Sequence, residues 1–307
     1  MERRGSPDMS ALPSSSSASD VIAETVIKNP KPARLCSGKP KESVDRRGTH
    51  RHSCRTMCGR YAITLPPEAM RTTFGYREQP NFPPRYNIAP TQPVPVVRLH
   101  EGARQFMLMR WGFIPGWVKD PKEFPLVVNI RGESAATKPS FRAALVRRRC
   151  LMPADAFYEW HRLGQGRNAE SRAYLFRRPD RSFFGLAALW ETWHSPDGSE
   201  IDTVAPITGA ANGVMAAIHD RCPVIIEPQN FDAWLDPSAE ARKVESLLRP
   251  PPDDLLEMAR IGNAVNKVAN DGPEVQERLG PAAAEAAVPK PPPRTKRPED
   301  DLQGSLF

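Results

Sequence analysis

From Met57 to about Leu279, short apolar stretches alternate with turn-forming residues, and the spacing predicts more strands than helices. Strand patterns run over Arg60–Thr64, Val94–Leu99, Gln105–Trp111, Cys150–Trp160, Ala173–Arg177, Ser182–Trp190 and Thr203–Thr208. Helical signals are fewer. Pro67 and Glu68 open a helix toward Phe74, Pro139 opens one through Leu145, and Gln229–Leu235 and Ser238–Leu248 carry the other two. Strands with interspersed helices and no βαβ rhythm predict an α+β fold, with mostly antiparallel strands in a barrel-like core and short peripheral helices. No internal repeat is visible.

The two ends differ from this middle. Residues 1–56 carry a Ser/Ala tract at Ser14–Ser19 and then Lys/Arg/Pro-rich sequence without Phe, Trp or Tyr, which cannot bury enough apolar surface to offset the entropy of ordering. They are expected to be a disordered basic extension that the mature protein need not contain. Residues 57–280 form the one folded domain on this division. Residues 281–307 are Ala/Pro/Lys-rich and are expected to be a flexible tail.

Charge changes little once it is divided along the chain. The formal charge is +7, but residues 1–56 hold 11 Lys/Arg against 6 Asp/Glu and residues 281–307 hold four of each, leaving +2 for residues 57–280. A nucleic-acid site in that body must be a local groove. The five cysteines, Cys36, Cys54, Cys58, Cys150 and Cys222, form no CxxC pair and leave an odd one over, which fits a reducing compartment, the cytoplasm by default. The apolar run Phe183–Trp190 falls far short of the roughly 18 residues that a membrane span needs.

Six strings stand out: Met57-Cys58-Gly59-Arg60-Tyr61, Tyr86-Asn87-Ile88-Ala89-Pro90-Thr91-Gln92, Trp111-Gly112-Phe113-Ile114-Pro115, Asn129-Ile130-Arg131-Gly132-Glu133, Pro153 through Trp160, and His219-Asp220-Arg221-Cys222-Pro223. In this order they resemble the SRAP family, the SOS response-associated peptidases or abasic-site processing proteins, over about residues 57–278. The resemblance implies a bacterial, nucleoid-associated DNA-repair protein acting as a monomer on abasic sites in single-stranded DNA, without metal or cofactor. It implies a covalent DNA-protein crosslink made by a cysteine at the mature N-terminus, with autopeptidase and lyase-type activity. The sequence departs from the family at Ser134 and Gly209, where Thr is common, and at Cys222, where Met is common.

The chemistry explains why an N-terminal cysteine matters. Its α-amine, with a reference pKa of about 7.7 to 8.0, and its thiol, at about 8.5, are both reactive near neutral pH. The amine condenses with the aldehyde of a ring-opened abasic sugar, and the thiolate closes a five-membered thiazolidine. Here that residue is Cys58, reached either because translation starts at Met57 or because the chain cleaves itself before Cys58. By resemblance, Glu159 and His219 handle protons and Asn129 completes the catalytic set. Asn129 and Arg131 alternate along an extended segment, so both can face the lesion or its backbone. Arg60 is positioned to clamp a phosphate. Trp111, Trp117 and Phe113 offer stacking surfaces for bases, with core packing the competing reading for the last two. The run Arg147, Arg148 and Arg149 reads equally as solvated charge or as DNA contact.

Other readings compete. His50, His52, Cys54 and Cys58 carry metal-ligand side chains, but their spacing matches no common zinc pattern. A thiol peptidase acting in trans would use Cys58 with His219, and a non-covalent single-strand binder would leave Cys58 incidental. The chain ends Gln303-Gly304-Ser305-Leu306-Phe307, which resembles the peptide that bacterial repair proteins insert into the sliding clamp; Gln303, Leu306 and Phe307 would make the contacts.

Overall fold

A computed structural model describes residues 59–164 and 169–280. In chain order the elements are β1 (Tyr61–Ile63), α1 (Pro67–Phe74), β2 (Arg85–Ile88), β3 (Pro93–His100), β4 (Ala103–Trp111), β5 (Ile130–Arg131), α2 (Gly132–Ala135), α3 (Pro139–Arg147), β6 (Arg149–Ala154), β7 (Ala156–Leu163), β8 (Glu170–Arg177), β9 (Phe184–His194), β10 (Glu200–Ala210), α4 (Gly213–Ala216), β11 (Arg221–Pro223), β12 (Ile225–Ile226), α5 (Phe231–Leu235), α6 (Ala241–Leu247) and β13 (Glu257–Arg260). Single 3₁₀ turns lie at Pro228–Asn230, Asn263–Asn266 and Pro273–Gln276.

Five strands close on themselves. β4 pairs β3, β3 pairs β6, β6 pairs β9 and β9 pairs β10, all antiparallel, and β10 returns to β4 in parallel. Closure leaves the barrel without an unpaired edge. β5 and β11 extend it from β10, and β12 extends it from β9. A second, wholly antiparallel sheet has the order β13-β8-β7-β1-β2. The fold is therefore the α+β barrel that the strand pattern predicts, with a further sheet beside it.

The single strand expected over Cys150–Trp160 is two strands in different sheets, broken at Asp155. Its buried carboxylate accepts hydrogen bonds from the backbone N–H of Leu65 at 2.8 Å, from the hydroxyl of Thr64 at 2.9 Å, and from the Thr64 N–H. The crossing from β6 to β7 is thereby pinned to the end of β1. β2, β5, β11, β12 and β13 were not expected, being two to four residues long with too few apolar positions to show a period. The helices follow their signals: α1 has Pro67 at its first turn and ends at Gly75, whose φ of 70° is left-handed.

The barrel and the facing side of the second sheet share one core, with Phe74 stacked on Phe231 at 5.0 Å and Phe157 on Phe176 at 5.1 Å. Each such side chain contributes about 1.5–3 kcal/mol on full burial. The other side of the second sheet, with Ala62, Tyr158 and Leu175, is covered by Ile261, Val265 and Val275 from the C-terminal turns. This two-sided burial decides which way Glu159 points.

Candidate active site

Glu159 lies on β7. Alternation places it on the same side as Phe157, between the second sheet and the barrel, and it is only 4% exposed. β1 runs antiparallel beside it, Tyr61 opposite Phe157 and Ala62 opposite Ala156, and the Tyr158 N–H donates to the Arg60 carbonyl at 3.1 Å. Continued at that register, Gly59, two residues before β1, comes opposite Glu159. The negative charge of Glu159 also reaches β11, where burial first and Glu159 second push the Cys222 thiol up to about 12.

β5 and β11 flank the same end of β10: Thr208 pairs with Arg131 on one side and with Pro223 on the other. Arg221 ties β11 to β10 and to α2, the helix that follows β5. Its Nε donates to Thr208 Oγ1 at 3.1 Å and its Nη2 to the Thr208 carbonyl at 2.6 Å, while Nη1 and Nη2 reach the two oxygens of Glu133 at 3.1 and 2.9 Å. Those bonds hold the Glu133 carboxyl below its ordinary range. Across β5, Asn129 is half-buried, Ile130 buried and Arg131 exposed, so the alternation read from the sequence is present. The departures Gly209 and Cys222 form one cross-strand pair.

His219 sits in the turn between α4 and β11. Its side chain is 9% exposed, and its Nδ1 accepts a hydrogen bond from the Arg221 N–H at 3.0 Å. Asp220 Oδ1 lies 2.9 Å from the same nitrogen, a contact that is favourable only when Nδ1 carries a proton. Nδ1 thus serves one partner at a time. With the backbone N–H bound, the ring is neutral and carries its proton on Nε2; protonated, it donates Nδ1–H to the exposed Asp220.

Some expected site residues lie elsewhere. Trp111 and Phe113 are each 1% exposed and belong to the core, which corrects their reading as stacking surfaces. Trp111 packs edge-on against Tyr61 and donates Nε1–H to the Val128 carbonyl at 2.9 Å; Phe113 packs edge-on against Phe141. Gly112 between them has φ 135°, and a Cβ there would come within 2.6 Å of Leu126. Trp117 is 62% exposed and edge-on to Phe124, an available aromatic face. Arg60 spends Nη1 on Asn87 Oδ1 at 3.0 Å and the Val265 carbonyl at 2.8 Å, so a phosphate clamp would fall to its other N–H groups. Arg149 is buried and donates to the carbonyls of Leu145, Val146, Trp234 and Asp236, capping α3 and α5, while Arg148 pairs with Glu191; neither is the solvated or DNA-facing charge expected of the run.

Cys58, the tail residues Gln303, Leu306 and Phe307, and His50, His52 and Cys54 lie outside the described residues. Among the described residues no group of three or more His, Cys, Asp or Glu is placed to hold a metal, and no helix is long and apolar enough to cross a membrane. Sequence reasoning assigned no role to Asn87 or Asp271. Asn87 is fully buried, and its string was the available signal.

Residues 57–268 match the family described as SOS response associated peptidase (SRAP). The chain is 35% identical over 226 residues to "Abasic site processing protein YoqW" of Bacillus subtilis (strain 168), covering 72% of this chain and 99% of that one. It is 30% identical over 262 residues to "Abasic site processing protein HMCES" of Gallus gallus, covering 71% and 76%. Among solved structures, a protein from Bacteroides thetaiotaomicron superposes with a TM-score of 0.65 at 22% identity, over 72% of this chain and all of that one. One from Bordetella bronchiseptica superposes with a TM-score of 0.58 at 26% identity, over 67% and 100%. With the family match spanning most of the chain and the barrel shared with these structures, the chain belongs to the SRAP family.

Proposed function

We propose that this chain processes abasic sites in single-stranded DNA by coupling to them through Cys58. The α-amine of Cys58 attacks the lesion aldehyde and water leaves; the thiol then adds across the C=N bond, forming the C–S bond and returning a proton to nitrogen. Glu159 and His219 move the protons. Neutral His219 carries the Nε2 proton and can assist ring opening of the sugar, and Glu159 takes the proton that the amine gives up. Arg131, the remaining N–H groups of Arg60 and the Trp117 face hold the strand, with Asn129 beside the lesion.

The observation that carries this reading is the position of Glu159: a nearly inaccessible carboxylate beside the chain that leads into β1, within electrostatic reach of Cys222 on β11, the strand that follows His219. The names of the relatives agree with it. If translation starts upstream of Met57, self-cleavage before Cys58 exposes the amine, in line with the family description. The tail would dock on the sliding clamp through Gln303, Leu306 and Phe307. A tether of the 22 residues from Pro281 to Leu302 would keep Cys58 near replicating single strands.

The test is a denaturing gel of the purified protein with single-stranded DNA holding one abasic site. A heat-resistant shifted band is expected. Reversible retardation alone would indicate a non-covalent binder, and peptide turnover without a band a thiol peptidase.

A further inference from the structure

β1 is three residues long, pairs β7 at only two positions, and its register against β2 shifts between Tyr61 and Ile63. Its own ladder is therefore a weak anchor for the chain entering it at Gly59 and Arg60. The anchor comes instead from Asn87, fully buried on β2. Its Nδ2 faces the carbonyls of Val265, Lys267 and Asn270 at 3.2, 2.9 and 2.8 Å, and its Oδ1 accepts from Arg60 Nη1 at 3.0 Å. Asp271 closes the same segment by accepting the N–H groups of Tyr86 and Asn87 at 2.6 and 2.8 Å. At its other end the segment reaches β7, where Trp160 Nε1 donates to Asn266 Oδ1 at 2.8 Å.

Residues 263–271 are thus tied at one point to Arg60, next to Gly59, and at another to Trp160, next to Glu159. An amide is required at position 87. It offers two N–H donors to the converging carbonyls and one acceptor to the guanidinium, whereas Asp would turn a carboxylate toward those carbonyls and Ala would remove the cross-link between Arg60 and the carbonyls of Lys267 and Asn270.

We propose that Asn87 is a positioning residue: by docking residues 263–271 it holds the chain at Gly59 at a set distance from Glu159. The proposal rests on the reading of Cys58 as nucleophile and Glu159 as its proton partner, and its test is chosen to be separable from that reading. The rate of Cys58 alkylation by iodoacetamide at pH 7 is measured on the full chain, with the modified residue located by peptide mass. A carboxylate near a thiol disfavours the thiolate, so Glu159→Gln should raise that rate about three- to tenfold. In the Asn87→Ala background the same change should alter it by less than about 1.5-fold, because the two groups are no longer held together.

A ratio near one in the otherwise wild-type chain, or equal ratios in both backgrounds, overturns the proposal. Should Asn87→Ala not fold, the exposed Asn266→Ala decides: an intermediate ratio supports the proposal and an unchanged one overturns it. On abasic single-stranded DNA, Asn87→Ala should lower the maximal adduct rate about tenfold with the half-saturating DNA concentration within about twofold. If wild type forms no adduct while the alkylation ratio collapses as expected, the proposed function fails and the positioning role stands.

Discussion

His219 illustrates how one hydrogen bond sets a residue's chemistry. With Nδ1 accepting from the Arg221 N–H, the neutral ring keeps its proton on Nε2. His219→Ala and Glu159→Gln should each slow adduct formation by about 10²-fold if general acid–base catalysis is lost, and Cys58→Ser should abolish the stable adduct. Timed denaturing gels on folded variants check this, and wild-type rates in either of the first two would remove that residue from the mechanism. The other thiols of the domain should be silent. Burial pushes Cys150 well up and Cys222 to about 12, so folded protein at pH 8 should leave both unalkylated by mass spectrometry. Arg221 and Glu133 give a pH sign as well. The folded Glu133 pKa is lowered, so the pair's contribution is present above the usual carboxylate range and is lost as pH falls through the folded value. With Glu133 59% exposed, Glu133→Gln should cost less than about 1 kcal/mol by denaturant melt at pH 7.

The elements that meet at the site are held by polar side chains. Asp155 stands where the chain leaves the barrel for the second sheet, and Asp155→Ala would orphan the N–H groups of Thr64 and Leu65. The expected cost is about 2–4 kcal/mol, with Asp155→Asn less damaging because its carbonyl oxygen still accepts. Burial raises the Asp155 pKa, so ionising it is a penalty that grows as pH rises through the folded value. The Asn variant does not bear that penalty. The stability gap between wild type and Asp155→Asn should therefore narrow from pH 4 to pH 7 in urea melts, and a widening gap would contradict the assignment. Strands with a long apolar stretch were legible in the sequence, among them β3, β4, β9 and β10. β5 and β11, which carry or follow Arg131, His219 and Arg221, were not, because two or three residues have no period and exist only by pairing with β10.

At the scale of the molecule, the proposed chemistry needs an exposed aldehyde, which a stacked and paired lesion does not present without distortion. Adduct formation on single-stranded abasic DNA should exceed that on intact duplex by at least about tenfold, with little effect of flanking sequence since backbone contacts carry no base information. Equal rates on the two substrates would contradict this. The thiazolidine also requires a free α-amine, so intact mass of the crosslinking-competent protein should show loss of everything through Met57. Retention of residues 1–57 in competent protein would rule that ring out.

What the sequence determined by itself was the list of chemical groups and the kind of fold. The strings around Cys58, Asn129, Glu159 and His219 named the candidate chemistry, and the strand spacing without βαβ rhythm implied the α+β barrel. Tertiary structure decided which side chains face the site. Trp111 and Phe113 read as aromatic surface yet lie in the core, because Trp111 packs on Tyr61 of β1 and Phe113 on Phe141 of α3. Arg149 sits in a run of like charges yet is buried, because two helix ends converge on it. Asn87, quoted in its string but given no role there, joins segments nearly 180 positions apart. Local pattern reports each residue's own periodicity and charge. Burial and partnership arise from contacts between distant segments, which no window along the chain contains.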